Sequence, residues 1–235
     1  MRVDLVLRHA DLFLAGLVTT LQLTFWSLLL GMIVALPVAV ARTRRIPRLD
    51  GLLRGYIFVF RGTPMLVQTY LIYYGLAQFE FVRDSVLWPV LRSPFYCALI
   101  AFSLNTGAYT AEILRGALET VPKGEIEAAE AIGLSPLQVL RRITIPAAFR
   151  RALPLYGNEV VLMLHGSTVA SVITIQDILG AGRTLNGKYY LAYEGLLTAA
   201  VLYLALTFLI TAAFAFAGRR WSTHRRPAAK RRGSP

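Results

Sequence analysis

The sequence predicts an all-α integral membrane protein with five spanning helices. Three observations carry that reading: a composition too apolar for a soluble globule, five apolar runs of spanning length, and a one-sided distribution of lysine and arginine. Of the 235 residues 56% are hydrophobic and 16% charged, and the mean hydropathy is +0.54. So few polar side chains cannot cover a water-soluble domain of this size. A hydrocarbon core about 30 Å thick takes about 20 mainly apolar residues of helix to cross. Runs of that length fall at 12–41, 52–76, 95–118, 153–174 and 193–217, of which the second and fourth are the least apolar.

Charge orients the spans. With the N-terminus outside, eighteen of the 25 lysines and arginines fall in inside segments and six in outside segments, with Arg61 left within a span. The positive-inside rule then puts the C-terminal basic tail, which ends RRPAAKRRGSP, in the cytoplasm. The first run follows a piece containing Asp4 and Asp11 rather than a basic leader and lacks a small-residue cleavage site, so no removable signal peptide is expected. The net charge of +12 sits at the inside ends of apolar runs, where anionic lipid attracts it, and this argues against nucleic-acid binding. The single cysteine, Cys97, excludes a disulfide framework within the chain and a cysteine-based zinc site.

Between the third and fourth runs lies a polar stretch, GEIEAAEAIGLSPLQVLRRITIP, at 124–146. It reads as two short helices. Pro122 precedes the first, with Glu125, Glu127 and Glu130 expected near its N-terminal end, where the helix dipole favours carboxylates. Gly133 supplies the left-handed residue that closes a helix. Ser135 restarts the chain as N-cap, with Pro136 at the first helical position and Gln138 as its capping-box partner. Arg141 and Arg142 are expected in the last turn and Pro146 as the stop. Ala128, Ala129 and Ala131 offer a small-residue surface for close approach of a partner, and Leu137, Leu140 and Ile143 an apolar stripe. An amphipathic connector lying on the membrane is the other reading of this composition.

Glu127-Ala128-Ala129, then Gly133, then Ile143 and Pro146, resembles the EAA signature of ABC importer permeases, with ITIP where many members read Leu-Pro. FRGTP (60–64), LNTGAYTAEILRGAL (104–118), VPKGEIEAA (121–129) and YGNEVVLMLHGSTVAS (156–171) are similar to polar amino-acid permeases of the histidine/lysine/arginine/ornithine and octopine/nopaline type. The resemblance implies a type I ABC importer permease with five spans at 1–220 and a coupling hairpin at 124–146; the composition of 221–235 reads as a basic, disordered tail. Its implied place is the bacterial inner membrane. The implied partners are a dimer of ABC ATPase subunits, a second homologous permease subunit, a periplasmic amino-acid-binding protein, the amino-acid substrate and membrane lipid. No cofactor is expected on this chain, which would carry out no covalent chemistry; ATP and Mg²⁺ would bind the ATPase. A secondary transporter or channel would share the polar centre without needing a docking hairpin, and a lipid-bound signalling or scaffold protein would need neither an intramembrane carboxylate nor a polar path.

Four residues are candidates for contact with substrate. Glu159 is an ionisable group inside the fourth run, costly there unless a cation offsets it. The resemblance assigns that carboxylate to the substrate's positive end; a permanent ion pair with Arg61 or a partner subunit is the alternative. Asn158 precedes it. Asn105 and Thr106 in the third run either line a polar path or bond across helices. His165 is expected as a hydrogen-bonded packing residue. The spacing Gly182 to Lys188 imitates a phosphate-binding loop, but Tyr189 stands where the metal-binding Ser or Thr belongs and no strand–helix unit surrounds it.

Overall fold

A 34-residue helix, α2 (Ala10–Thr43), carries the first apolar run and follows a short amphipathic α1 (Val3–Arg8). The computed structural model describes residues 2–44, 46–47 and 49–222, so the expected basic tail lies, from residue 223 onward, outside the described residues. Every regular element among them is helical. After α2 come α3 (Leu49–Gly62) and α4 (Met65–Tyr70), which continues through a π turn at Leu71–Gly75 and a 3₁₀ turn at Leu76–Gln78. Two single-turn helices, α5 (Glu80–Arg83) and α6 (Trp88–Leu91), lead to α7 (Pro94–Glu119). The polar stretch forms α8 (Lys123–Ala131) and α9 (Pro136–Val139), then α10 (Ile145–Gly166) follows with a 3₁₀ extension at Ser167–Ile173. The chain ends with α11 (Ile178–Tyr189) and α12 (Glu194–Ser222).

Three of these helices, α2, α7 and the stretch Glu194–Arg220 of α12, are long and apolar enough to cross a membrane. A fourth crossing arises if Pro136–Ile173 and Ile178–Tyr189, bent by 45° at their junction, count as one broken span. The second expected run, 52–76, is interrupted. Pro64 is extended (ψ 135°) and, lacking an N–H, cannot continue α3, while the residue before it is pushed out of the helical region.

α7 is the central element. Phe102, Thr106, Thr110 and Leu114 are fully buried, because α2, α3, α4 and α10 pack around it. Small residues set how closely these helices approach. A Cβ on Gly31 of α2 would lie 2.5 Å from the Thr106 methyl, and one on Gly107 would lie 2.9 Å from the Tyr56 hydroxyl. α11 and α12 meet at Gly182 and Gly195, where a Cβ on Gly195 would come within 2.3 Å of the Gly182 carbonyl. The segment that imitates a phosphate-binding loop is therefore a helix packed against α12.

Charged side chains gather at one end of the bundle. Arg42 bonds Glu112 and faces Asp50 at 3.6 Å; Asp50 also accepts from Arg54; and Arg115 bonds Glu112 at 3.0 Å and Glu119 at 2.7 Å. This chain of ions ties α2, α3 and α7 together. Asp50 precedes the apolar run, and the Arg54 guanidinium, assisted by Arg42, holds its carboxyl below the usual carboxylate value. At the opposite end the backbone N–H of Arg2 donates to Glu194 and the His9 ring meets the Tyr189 hydroxyl at 3.0 Å.

Candidate functional site

The polar hairpin is built locally. Ser135 accepts from the Gln138 N–H at 3.4 Å, and the Gln138 side chain accepts from the Ser135 N–H at 2.9 Å, a reciprocal cap that stabilises the helix start by about 1 kcal/mol. Gly133 stands at φ +85°, the left-handed region where a side chain is strained. Leu134 N–H returns to the Ala129 carbonyl at 3.2 Å, closing α8. Glu127 and Ala128 are exposed, whereas Ala129 is buried against the body of the protein. Arg151 of α10 reaches Glu125 at 3.5 Å and anchors α8 to the bundle.

Three expectations for this stretch are corrected. Glu130 lies next to the C-terminal end of α8, not its N-terminal end. Pro146 does not stop a helix: it occupies the first turn of α10, where its missing N–H is tolerated. Arg141 and Arg142 sit in a π turn, Leu140–Thr144, that runs α9 into α10 without a break, rather than at a helix end. Ile143 is half-buried in that same turn and Pro146 is exposed. Part of the polar hairpin is thus the foot of a long helical rod.

Deeper in the bundle, the four substrate candidates separate. Glu159 is 6% exposed, and its Oε1 accepts from the Thr106 hydroxyl at 2.7 Å. No ion pair to Glu159 exists among the described residues, so the alternative of a permanent pair with Arg61 is absent within this chain. Asn105 instead serves the interrupted helix: its amide donates to the Phe60 carbonyl and to Gln68 Oε1, both at 3.0 Å. Gln68 in turn donates to the carbonyls of Phe60 and Thr63 at 2.9 and 3.0 Å. Together they satisfy backbone groups that the Pro64 break frees, which a membrane interior requires. Asn158 is exposed and lines a groove of about 820 Å³ between α10 and α12, together with Pro154, Gly157, Phe214 and, at its charged end, Arg150 and Arg219.

His165 meets the Thr207 hydroxyl at 2.9 Å, as a packing residue would. Sequence reasoning missed Asp177, which is fully buried, accepts from the Gly180 N–H at 2.7 Å and the Tyr203 hydroxyl at 2.9 Å, and caps α11. An Asp directly before a helical run is the available signal, obscured by the glycines that follow it. Among the described residues no three His, Cys, Asp or Glu side chains are grouped to hold a metal.

The model of a family described as binding-protein-dependent transport system inner membrane component matches residues 15–223. The chain is 48% identical over 201 residues to the octopine transport system permease protein OccM of Rhizobium radiobacter, covering 86% of this chain and 82% of that protein. It is 38% identical over 213 residues to the histidine/lysine/arginine/ornithine transport system permease protein HisM of Escherichia coli K12, covering 90% of each. Among solved structures, it superposes on a chain of an amino acid ABC transporter with histidines at a TM-score of 0.80 and 32% identity, covering 92% of this chain and 96% of that one. Likeness to the MetNI methionine ABC transporter, at 22% identity and a TM-score of 0.75, extends to the fold.

Proposed function

Because the chain belongs to the family of binding-protein-dependent transport system inner membrane components, we propose that it is a permease subunit of an ATP-driven importer for polar amino acids bearing a cationic group, opines included. The observation that carries the substrate class is Glu159, a carboxylate held inside the bundle between α7 and α10 with one hydroxyl partner and no ion pair among the described residues. Such a group is costly inside a membrane unless a charge arrives to meet it. The names of the relatives point the same way, since OccM serves octopine and HisM serves histidine, lysine, arginine and ornithine.

The proposed cycle is alternating access. A periplasmic binding protein delivers the amino acid, and a dimer of ATPase subunits, carrying the ATP and Mg²⁺, closes against the hairpin. Glu127, Ala128, Ala129 and Gly133 form the docking face, while Ile143 and Pro146 lie at the joint with α10. A second, homologous permease completes the pathway. Glu159 and Thr106 contact substrate directly and Asn158 lines the groove beside them; Asn105 is assigned to holding the α3–α4 break. The test is uptake by the complex reconstituted with its ATPase and binding protein. ATP-dependent import of labelled arginine, competed by lysine, histidine or octopine, is expected. Import without ATPase, driven by an ion gradient, would transfer the chain to the secondary transporters.

The orientation is proposed as N-terminus outside and C-terminus cytoplasmic, with the ion-rich end inside. In a Cys97→Ala background, cysteine at Ser135, exposed on the hairpin, should resist an impermeant thiol reagent applied to intact cells. Cysteine at Tyr190, which is 97% exposed at the other end, should react. The reverse pattern would overturn both the orientation and the docking assignment. Asn186 is a poor labelling site because its side chain accepts from the Gly195 N–H at 2.7 Å.

A further inference from the structure

Arg61 is the basic residue that the charge count leaves within a span. It is exposed in the last turn of α3, its guanidinium stacked over the Tyr109 ring at 5.0 Å from the centroid, and it forms no ion pair among the described residues. Its backbone carbonyl accepts from the Tyr109 hydroxyl at 3.4 Å, which holds the ring beneath it.

Counted along their helices, Arg61 and Glu159 lie at similar distances from the ion-rich end. α3 and α10 both start at the ion-rich end of the bundle. At 1.5 Å per residue Arg61 lies about 18 Å along α3 and Glu159 about 21 Å along α10. α7 runs between them and touches both: Thr106 bonds Glu159, and Tyr109 carries Arg61. Positions three apart share a helix face and place their Cβ atoms about 5–6 Å from each other. One turn of α7 therefore presents a carboxylate on one flank and a guanidinium on the other, each with hydrogen-bonding capacity left. Glu159 Oε2 receives no bond among the described residues and is not sealed off, and the guanidinium fork is engaged only through its stacking.

We infer that Arg61 binds the carboxylate of the transported amino acid, so that cargo lies across the Thr106–Tyr109 turn with its anionic end on Arg61 and its cationic end on Glu159. This rests on the reading of the chain as an amino-acid permease subunit. A planar guanidinium matches a carboxylate by paired hydrogen bonds, and the cargo's cationic end replaces the hydration that burial takes from Glu159. The arrangement also accounts for the absence of an internal pair: a closed Arg61–Glu159 bridge would leave neither end of the cargo a partner.

The experiment measures equilibrium binding to the purified permease–ATPase complex without binding protein, so that the delivery step makes no selection. The probes are labelled arginine, agmatine, which is arginine without its carboxylate, and glutamine. Losing a charge-assisted hydrogen-bonded contact should weaken arginine binding by about 10–100-fold in Arg61→Gln, with agmatine changed by less than about threefold and Arg61→Lys intermediate. Unchanged arginine binding in Arg61→Gln, or equal weakening of arginine and agmatine, would overturn the inference and leave Arg61 as a cap on α3. Failure of both Arg61→Gln and Arg61→Lys to assemble would do the same. A wild-type complex that binds glutamine but not arginine would withdraw the cationic reading alone, and the glutamine affinity of Arg61→Gln would then decide for or against Arg61. Binding of none of the three would overturn both.

Discussion

Glu159→Gln is expected to cut arginine and lysine uptake by roughly 100-fold, the consequence of removing one partner of a desolvated charge pair. Citrulline, which keeps the shape but not the charge, should lose far less. Assembly should survive, because Glu159 makes no ion pair among the described residues that the change would break. The amide keeps an acceptor for the Thr106 hydroxyl, so the change from a charged to a neutral acceptor should cost only ~1 kcal/mol. Basal ATP hydrolysis should persist. Equal loss of charged and neutral substrates together with poor assembly would assign Glu159 to an interface with another subunit instead.

The second large effect is expected at the hairpin. A Cβ on Gly133 would touch nothing within 4 Å, so any cost of replacing it is conformational. At φ +85° a β-branched residue costs about 1–3 kcal/mol and is better accommodated by reopening the turn. Gly133→Val should therefore reduce substrate-stimulated ATP hydrolysis by tenfold or more, on the order of 1.4 kcal/mol of coupling. Gly133→Asn, whose side chain tolerates the left-handed region, should retain much of it. Glu127→Lys reverses the charge of an exposed residue on the proposed docking face and should act alike. Normal stimulation in Gly133→Val and Glu127→Lys would remove the hairpin from the coupling path.

What was legible in the sequence was local. The capping box of Ser135 and Gln138 and the left-handed Gly133 depend on neighbours within a few residues, and they appear in the structure as expected. α2, α7 and α12 follow their apolar runs to within a few residues at the N-terminal ends. The errors arose where one residue carries two meanings. Proline both ends a helix and opens one, and Pro146 opens α10 because the π turn before it absorbs the mismatch. Pro64 does break the second run, but the apolar stretches on either side of Arg61–Pro64 together reach spanning length and concealed the interruption. The pairing of Thr106 with Glu159 and of Tyr109 with Arg61 joins residues 53 and 48 positions apart. No periodicity encodes such contacts; they follow from how small residues such as Gly31 and Gly107 let α7 settle among its neighbours.

One proline lies well inside α10. Pro154 offers no N–H to the Arg150 carbonyl, which leaves a soft joint in an otherwise stiff shaft. In the proposed cycle the shaft is driven from its foot, where α9 feeds into α10 without a gap. Glu159 sits five residues beyond the joint, and on the side of Pro154, Gly157 and Asn158 the shaft borders a groove rather than packed side chains of this chain. A load applied at the foot is therefore concentrated at one notch rather than spread along the helix. A bend of about 15° there would swing Glu159, some 7–8 Å further on, by about 2 Å, enough to break its hydrogen bond to Thr106. The gearing between hairpin and carboxylate is then set by the position of a single residue, and moving that proline by one turn would change the stroke without touching either end.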